Sequence, residues 1–260
     1  MNRTHSNIKP IEFTCDGITL RGILHLPCRS RNGSPDALPP LVIGSHGLEG
    51  SMESAKQQVL ARIVPEAGGA FFRFDHRGCG TSGGDFTRDT SLSKRVQDIL
   101  CGVKHIQSMG ITQRRIILFG SSLGGAASIS AWSMLGKKNM EPAGAIICAA
   151  PVNSLTIKAI PLGGNDLRPA LPMSFFEKNL LFDLSDKLHL LHHVLIFHGD
   201  GDAVVPVENA YAIHANVRNP KKLIIARGGD HQMSNPRDQE LFARETKNWL
   251  KVLMTTFTGS

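Results

Sequence analysis

The chain is poor in several things that particular functions need. It has one Tyr and two Trp in 260 residues, so there are few rings to stack on bases. The net charge is +7, yet no run of Lys and Arg forms a patch for a phosphate backbone. Both shortages speak against a nucleic-acid partner. No apolar run approaches the roughly 20 residues of a membrane span, which speaks against stable membrane insertion. The N-terminal MNRTHSNIKP lacks the apolar core of a secretory signal, so a cytoplasmic location is expected. The five cysteines, Cys15, Cys28, Cys79, Cys101 and Cys148, are scattered, odd in number and never spaced C-x-x-C. A disulfide framework and a zinc knuckle are therefore not expected, and reduced thiols are. There is no internal repeat and no low-complexity tract.

What is present alternates between strand and helix signals. Residues 11–26 alternate apolar and polar around Asp16-Gly17, which predicts a β-hairpin. Short apolar runs at 41–45, 70–74, 116–119, 143–149, 194–197 and 222–226 read as buried strands. Helical periods lie between them, over 53–67, 91–109, 123–135, 207–217 and 236–253. Residues 28–40 read as a polar loop. Residues 152–192 break the rhythm with several prolines and apolar pairs, and read as an insertion within a single domain spanning 1–260. The fold class expected is α/β: a mainly parallel central sheet opened by an antiparallel hairpin, with helices on both faces.

The stretch Ile116–Gly125, IILFGSSLGG, carries the sharpest signal. A buried strand runs into G-x-S-x-G and then into a helix, the pattern of a nucleophile elbow with Ser122 at its centre. A serine hydroxyl is a weak nucleophile and needs a base, itself oriented by an acid. In doubly wound sheets such groups gather at the carboxyl ends of strands. Among eleven histidines, His231 lies just past the last strand and before the last helix. His46 and His198 also follow strands, but each precedes Gly and reads as bonding its local backbone. Asp202 is favoured as the acid on the order Ser, Asp, His, with Asp200 in reserve. Asp230, next to His231, is a poor choice because sequence neighbours point apart. Asp75 and Arg77, in a Gly-rich turn, read as a pair holding a loop in place. Glu49 reads as a solvated charge.

The segments SHGLEGS, RFDHRGCGTSGG, GSSLGG, FHGDGDAVVP and GGDHQM, in that order, resemble the α/β-hydrolase fold. They are most similar to its cinnamoyl/feruloyl-esterase-like and serine-aminopeptidase-like branch, which includes monoacylglycerol lipases. The resemblance spans roughly residues 20–250. It implies Ser122 as nucleophile, Asp202 as acid and His231 as base. It also implies an oxyanion hole from the backbone of Leu48 and Leu123. The activity implied is cleavage of small carboxylic esters through an acyl-enzyme, with no metal or organic cofactor. A thioesterase or an aminopeptidase would use the same triad, and a non-catalytic ligand-binding module or a lyase is a rival on the same fold. The insertion is expected to form a short lid. Leu162, Leu171, Met173, Phe175, Phe176, Leu180 and Phe182 are its candidate apolar lining. Oligomeric state is not legible.

Overall fold

A computed structural model describes residues 7–27, 38–138, 140, 142–166 and 168–255. Residues 1–6 of the N-terminal segment, Cys28 and most of the polar loop 28–40 lie outside them. The chain opens with the expected hairpin. Strand β1 (Asn7–Cys15) pairs antiparallel with β2 (Ile18–Leu26), Cys15 facing Ile18. Asp16 and Gly17 both have positive φ, 50° and 79°, as a two-residue primed turn requires. Ile11, Phe13 and Cys15 are buried between exposed Glu12 and Thr14, so one face of β1 meets the core.

Six further strands follow: β3 (Leu41–Ser45), β4 (Ala70–Phe74), β5 (Ile116–Ser121), β6 (Pro142–Cys148), β7 (Val194–Gly199) and β8 (Lys221–Ala226). The described sheet has the order β1-β2-β4-β3-β5-β6-β7-β8. It is parallel from β4 to β8, with β2 antiparallel to β4. The chain goes from β3 outward to β4, then returns to the other side of β3 for β5. That reversal leaves a crevice where the carboxyl ends of β3 and β5 lie side by side, Ser45 opposite Gly120.

Successive strand residues alternate between two cores. Leu41, Ile43, Ile116 and Leu118 face one side. Helices α3 (Leu92–Ser108), α4 (Leu123–Gly136) and α6 (Glu208–Asn216) cover it. Val42, Ile117 and Phe119 face the other side, under α1 (Ala55–Glu66) and α7 (Pro236–Thr255). Helix α3 starts where Ser91 Oγ accepts the Lys94 N–H, an N-cap. A short α2 (Phe86–Asp89), not evident from the sequence, precedes it. No helix among the described residues is long and apolar enough to cross a membrane.

Among the described residues of 152–192 are α5 (Met173–Asn179) and two 3-10 helices, Ser154–Thr156 and Ser185–Leu190. The two ends of this segment are clasped: Ser154 N–H donates to Phe182 O, and Leu184 N–H to Val152 O. Residues 185–190 pack against α4 and α6.

One expectation fails here. Cys15 and Cys101 are joined in a disulfide, 86 residues apart in sequence with Cα atoms 5.8 Å apart. Sequence spacing reveals cysteine pairs only within local motifs, whereas this pair exists because β1 packs on α3. Cys79 and Cys148 are free, buried thiols.

Candidate active site

The elbow is built by steric necessity. Ser122 follows β5 with φ 55° and ψ −126°, a conformation that costs a non-glycine residue energy and must be held by its surroundings. A Cβ on Gly120 would overlap the Gly124 carbonyl, and one on Gly124 would overlap Ser45 O at the end of β3. Only glycine at both places lets helix and strand approach so closely. The Ser122 N–H is held by Cys148 O of β6 at 2.9 Å. The hydroxyl is thereby aimed out of the crevice between β3 and β5.

His231 lies past β8 with Nε2 3.0 Å from Ser122 Oγ. Its Nδ1 donates to Asp202 Oδ2 at 2.7 Å, which leaves Nε2 free to accept the serine proton. Asp202 follows β7 and is buried. Its Oδ1 accepts the N–H groups of Val204 and Val205, both at 2.8 Å. Burial pushes the Asp202 carboxyl up, but hydrogen bonds from His198 and His231 more than offset this and hold it well below the usual carboxylate range. The structure thus brings Ser122, Asp202 and His231 together. Asp200 instead accepts the Gly228 N–H, and Asp230 the Ser234 N–H, both on local turns. His198 donates from Nε2 to Val205 O at 2.9 Å and lies 3.3 Å from Asp202 Oδ2. Burial pushes the Cys148 thiol up to about 12, so it is no rival nucleophile.

Leu123 is the first residue of α4, so its N–H has no intrahelical acceptor and sits at the positive end of the helix. Across from it runs the loop after β3. A Cβ on Gly47 would stand 3.3 Å from Ser122 Cβ, which places Gly47 and Leu48 against the nucleophile's side of the crevice. A cavity of about 960 Å³ opens there, lined by Leu48, Ser122, His231, Ile160, Met173 and Phe176 among others. Of the expected lining, Met173, Phe176, Leu180 and Phe182 border this cavity. Leu171 and Phe175 join the core instead, and Leu162 stands 42% exposed.

The serine aminopeptidase S33 profile of hydrolases (Hydrolase_4) matches residues 37–175. The chain belongs to this family. Within the S33 match lies Ser122; Asp202 and His231 lie beyond it, and their placement rests on the contacts just given. The chain is 28% identical over 226 residues to the uncharacterized protein YfhR of Escherichia coli (strain K12), covering 85% of this chain and 72% of that protein. Its fold is that of Est1E from Butyrivibrio proteoclasticus, solved with ferulic acid bound: TM-score 0.79, 24% identity, 94% of this chain and 99% of that one. The α/β hydrolase GrgF from Penicillium sp. sh18 is similar at TM-score 0.77 and 18% identity, over 96% of this chain and 99% of that one.

Around the S33 elbow stand charges that sequence reasoning did not mark. Arg95 of α3 is fully buried and donates to the carbonyls of His46, Gly47 and Leu48 at 2.9, 3.1 and 3.2 Å. Lys56 of α1 is buried and donates to His231 O and Gln232 O at 3.2 and 3.3 Å. Burial pulls the Lys56 ammonium below its ordinary value, partly opposed by Cys148, Asp202 and Asp230. Both residues lie in the apolar stripe of their helices, Arg95 between Leu92 and Ile99, Lys56 four before Leu60. A charge inside such a stripe was the available signal. Glu49 is not a solvated charge as expected. It pairs at 2.7 Å with buried Arg168 and accepts the Asn165 amide at 2.8 Å. Asp75 holds its turn as expected, accepting the N–H groups of Met52 and Thr81. Arg77 pairs with buried Asp98 at 2.7 Å.

Proposed function

We propose that the protein hydrolyses carboxylic esters through an acyl-enzyme. The observation that carries this reading is the unbroken chain Asp202–His231–Ser122 at 2.7 and 3.0 Å, opening into the large, mainly apolar cavity. His231 Nε2 takes the Ser122 proton as Oγ attacks the ester carbonyl. The oxygen that becomes negative faces the N–H groups of Leu48 and Leu123, each such donor being worth about 10²–10³ in rate. His231, its positive charge balanced by Asp202, returns the proton to the departing alcohol. Water, deprotonated by the same imidazole, then releases the acid.

A free α-amine needs an available carboxylate. Of the carboxylates lining the cavity, Glu49 is paired with Arg168 and Glu53 with Arg73 at 2.8 Å, which leaves Glu177 as the one an aminopeptide could use. Apolar side chains from Leu155 to Phe182 suit an apolar acyl or aryl group, and the insertion 152–192 that carries them is read as the lid. A panel of p-nitrophenyl esters of rising acyl length, beside aminoacyl arylamides and acyl thioesters, tests the reading. Esters are expected to turn over fastest, with covalent labelling of Ser122 by a fluorophosphonate. Faster turnover of thioesters or arylamides would move the substrate class. A folded protein that neither labels nor turns over any of them would be a binding module.

A further inference from the structure

Arg95 is a buried cation with no carboxylate within ion-pair distance among the described residues. Its neighbour on α3, Asp98, is taken up by Arg77 at 2.7 Å and by His76 Nδ1 at 3.1 Å. Desolvating a guanidinium without a partner is expensive, and side chains of this kind are seldom buried so completely. Its two terminal nitrogens donate to three consecutive carbonyl oxygens of one loop, His46, Gly47 and Leu48. One of these nitrogens also lies 3.6 Å from Cys79 Sγ, while Nε is buried without a partner among the described residues. The Gly47 oxygen is fixed three times over: by Arg95, by His46 Nδ1 at 2.8 Å and by the Gly50 N–H at 3.2 Å. His46 is itself fixed, because its Nε2 accepts the His76 N–H at 3.1 Å and so Nδ1 carries the proton.

A peptide unit is planar and trans, so its C=O and the following N–H point in opposite directions. Turning the Gly47 carbonyl onto Arg95 turns the Leu48 N–H to the opposite face of the loop. Arg95 lies on the α3 side, while Gly47 and Leu48 border the cavity in front of Ser122. We propose that Arg95 is the positioning residue of the oxyanion hole: by gathering the carbonyls of residues 46–48 it sets the Leu48 N–H toward the oxygen that becomes negative. It touches no reacting atom. A guanidinium presents its donors in a rigid fork that reaches several carbonyls at once, which a compact ammonium does not. Its positive charge, in a low-dielectric setting, also favours negative charge across the loop.

This inference rests on the ester-hydrolase reading, and its test separates the two. Wild type and Ser122→Ala are first compared on a p-nitrophenyl ester; no difference between them would sink that reading itself. With that difference in hand, Arg95→Met is expected to lower kcat about 10²-fold while KM moves less than about threefold. A trifluoromethyl ketone, which becomes an oxyanion when Ser122 adds to it, should lose affinity in parallel with kcat/KM. A non-reacting planar ester analogue should bind as before. Arg95→Lys keeps the charge and is expected to fold, with kcat lowered about tenfold. Folded variants with wild-type kcat, or a loss of planar-analogue binding as large as the loss in kcat, would overturn the positioning role. If Arg95→Met does not fold, Arg95→Lys decides: wild-type kcat in it overturns the role, and a tenfold loss with unchanged KM upholds it.

Discussion

The two sides of Ser122 are built on different principles. On the imidazole side, side chain meets side chain: Asp202 holds His231, and His231 holds the hydroxyl. On the amide side, across the crevice, the groups that matter are backbone, and their orientation comes from Arg95 on a distant helix. The imidazole side has its own clamp in Lys56, but with only two contacts, at 3.2 and 3.3 Å, to the His231 and Gln232 carbonyls. Side-chain chemistry leaves a motif, whereas a backbone orientation leaves only a misplaced charge in an apolar stripe.

The comparison can be sharpened from the largest effect down. Ser122→Ala should reduce ester turnover roughly 10⁵–10⁶-fold and abolish fluorophosphonate labelling. Asp202→Asn should cost about 10⁴ in kcat by presenting the wrong imidazole tautomer. Asp200→Asn, which disturbs only the Gly228 turn, should stay within a few-fold; a reversal of these two would reassign the acid. A third measurement concerns His76, whose ring lies behind the amide loop. Burial and the charge of Arg95 outweigh the bond to Asp98 and lower its pKa from 6.5 to about 4. The unfolded chain therefore takes up this proton first as pH falls. Stability should be full above pH 6.5 and drain between 6.5 and about 4, by up to about 3 kcal/mol from this group. Urea midpoints across that range check it, and His76→Gln should reduce the dependence, leaving the part due to other histidines such as His25 and His46, whose pKa burial also lowers. Smallest is Lys56→Met, expected to lower kcat about tenfold, equivalent to about 1.4 kcal/mol. If Lys56→Met proved as damaging as Arg95→Met, the contrast between the two sides would disappear.

Much of the architecture was legible because its signals are local. The runs 41–45 and 70–74 coincide with β3 and β4, and Asp16-Gly17 turns the hairpin. The elbow is fixed by Gly120 and Gly124, whose necessity is visible in five residues. Asp202 and His231 stand out in the sequence because each follows a strand, and the structure brings both side chains to Ser122. The Cys15–Cys101 bond, the Glu49–Arg168 pair and the two clamps were not, since each joins elements far apart in the chain. Arg95 stands beside Lys94, but it falls on the stripe of Leu92 and Ile99 while Lys94, 39% exposed, falls off it, and that placement is the one trace the clamp leaves in the sequence.

Arg168 joins the segment it belongs to with the loop after β3. Its guanidinium donates to the carbonyls of Pro161, Gly163 and Pro169 and pairs with the Glu49 carboxylate. Glu49 directly follows Leu48. The backbone at Pro161, Gly163 and Pro169 and the loop after β3 are therefore tied through one planar cation, so a change that shifts either strip of chain is felt by the other.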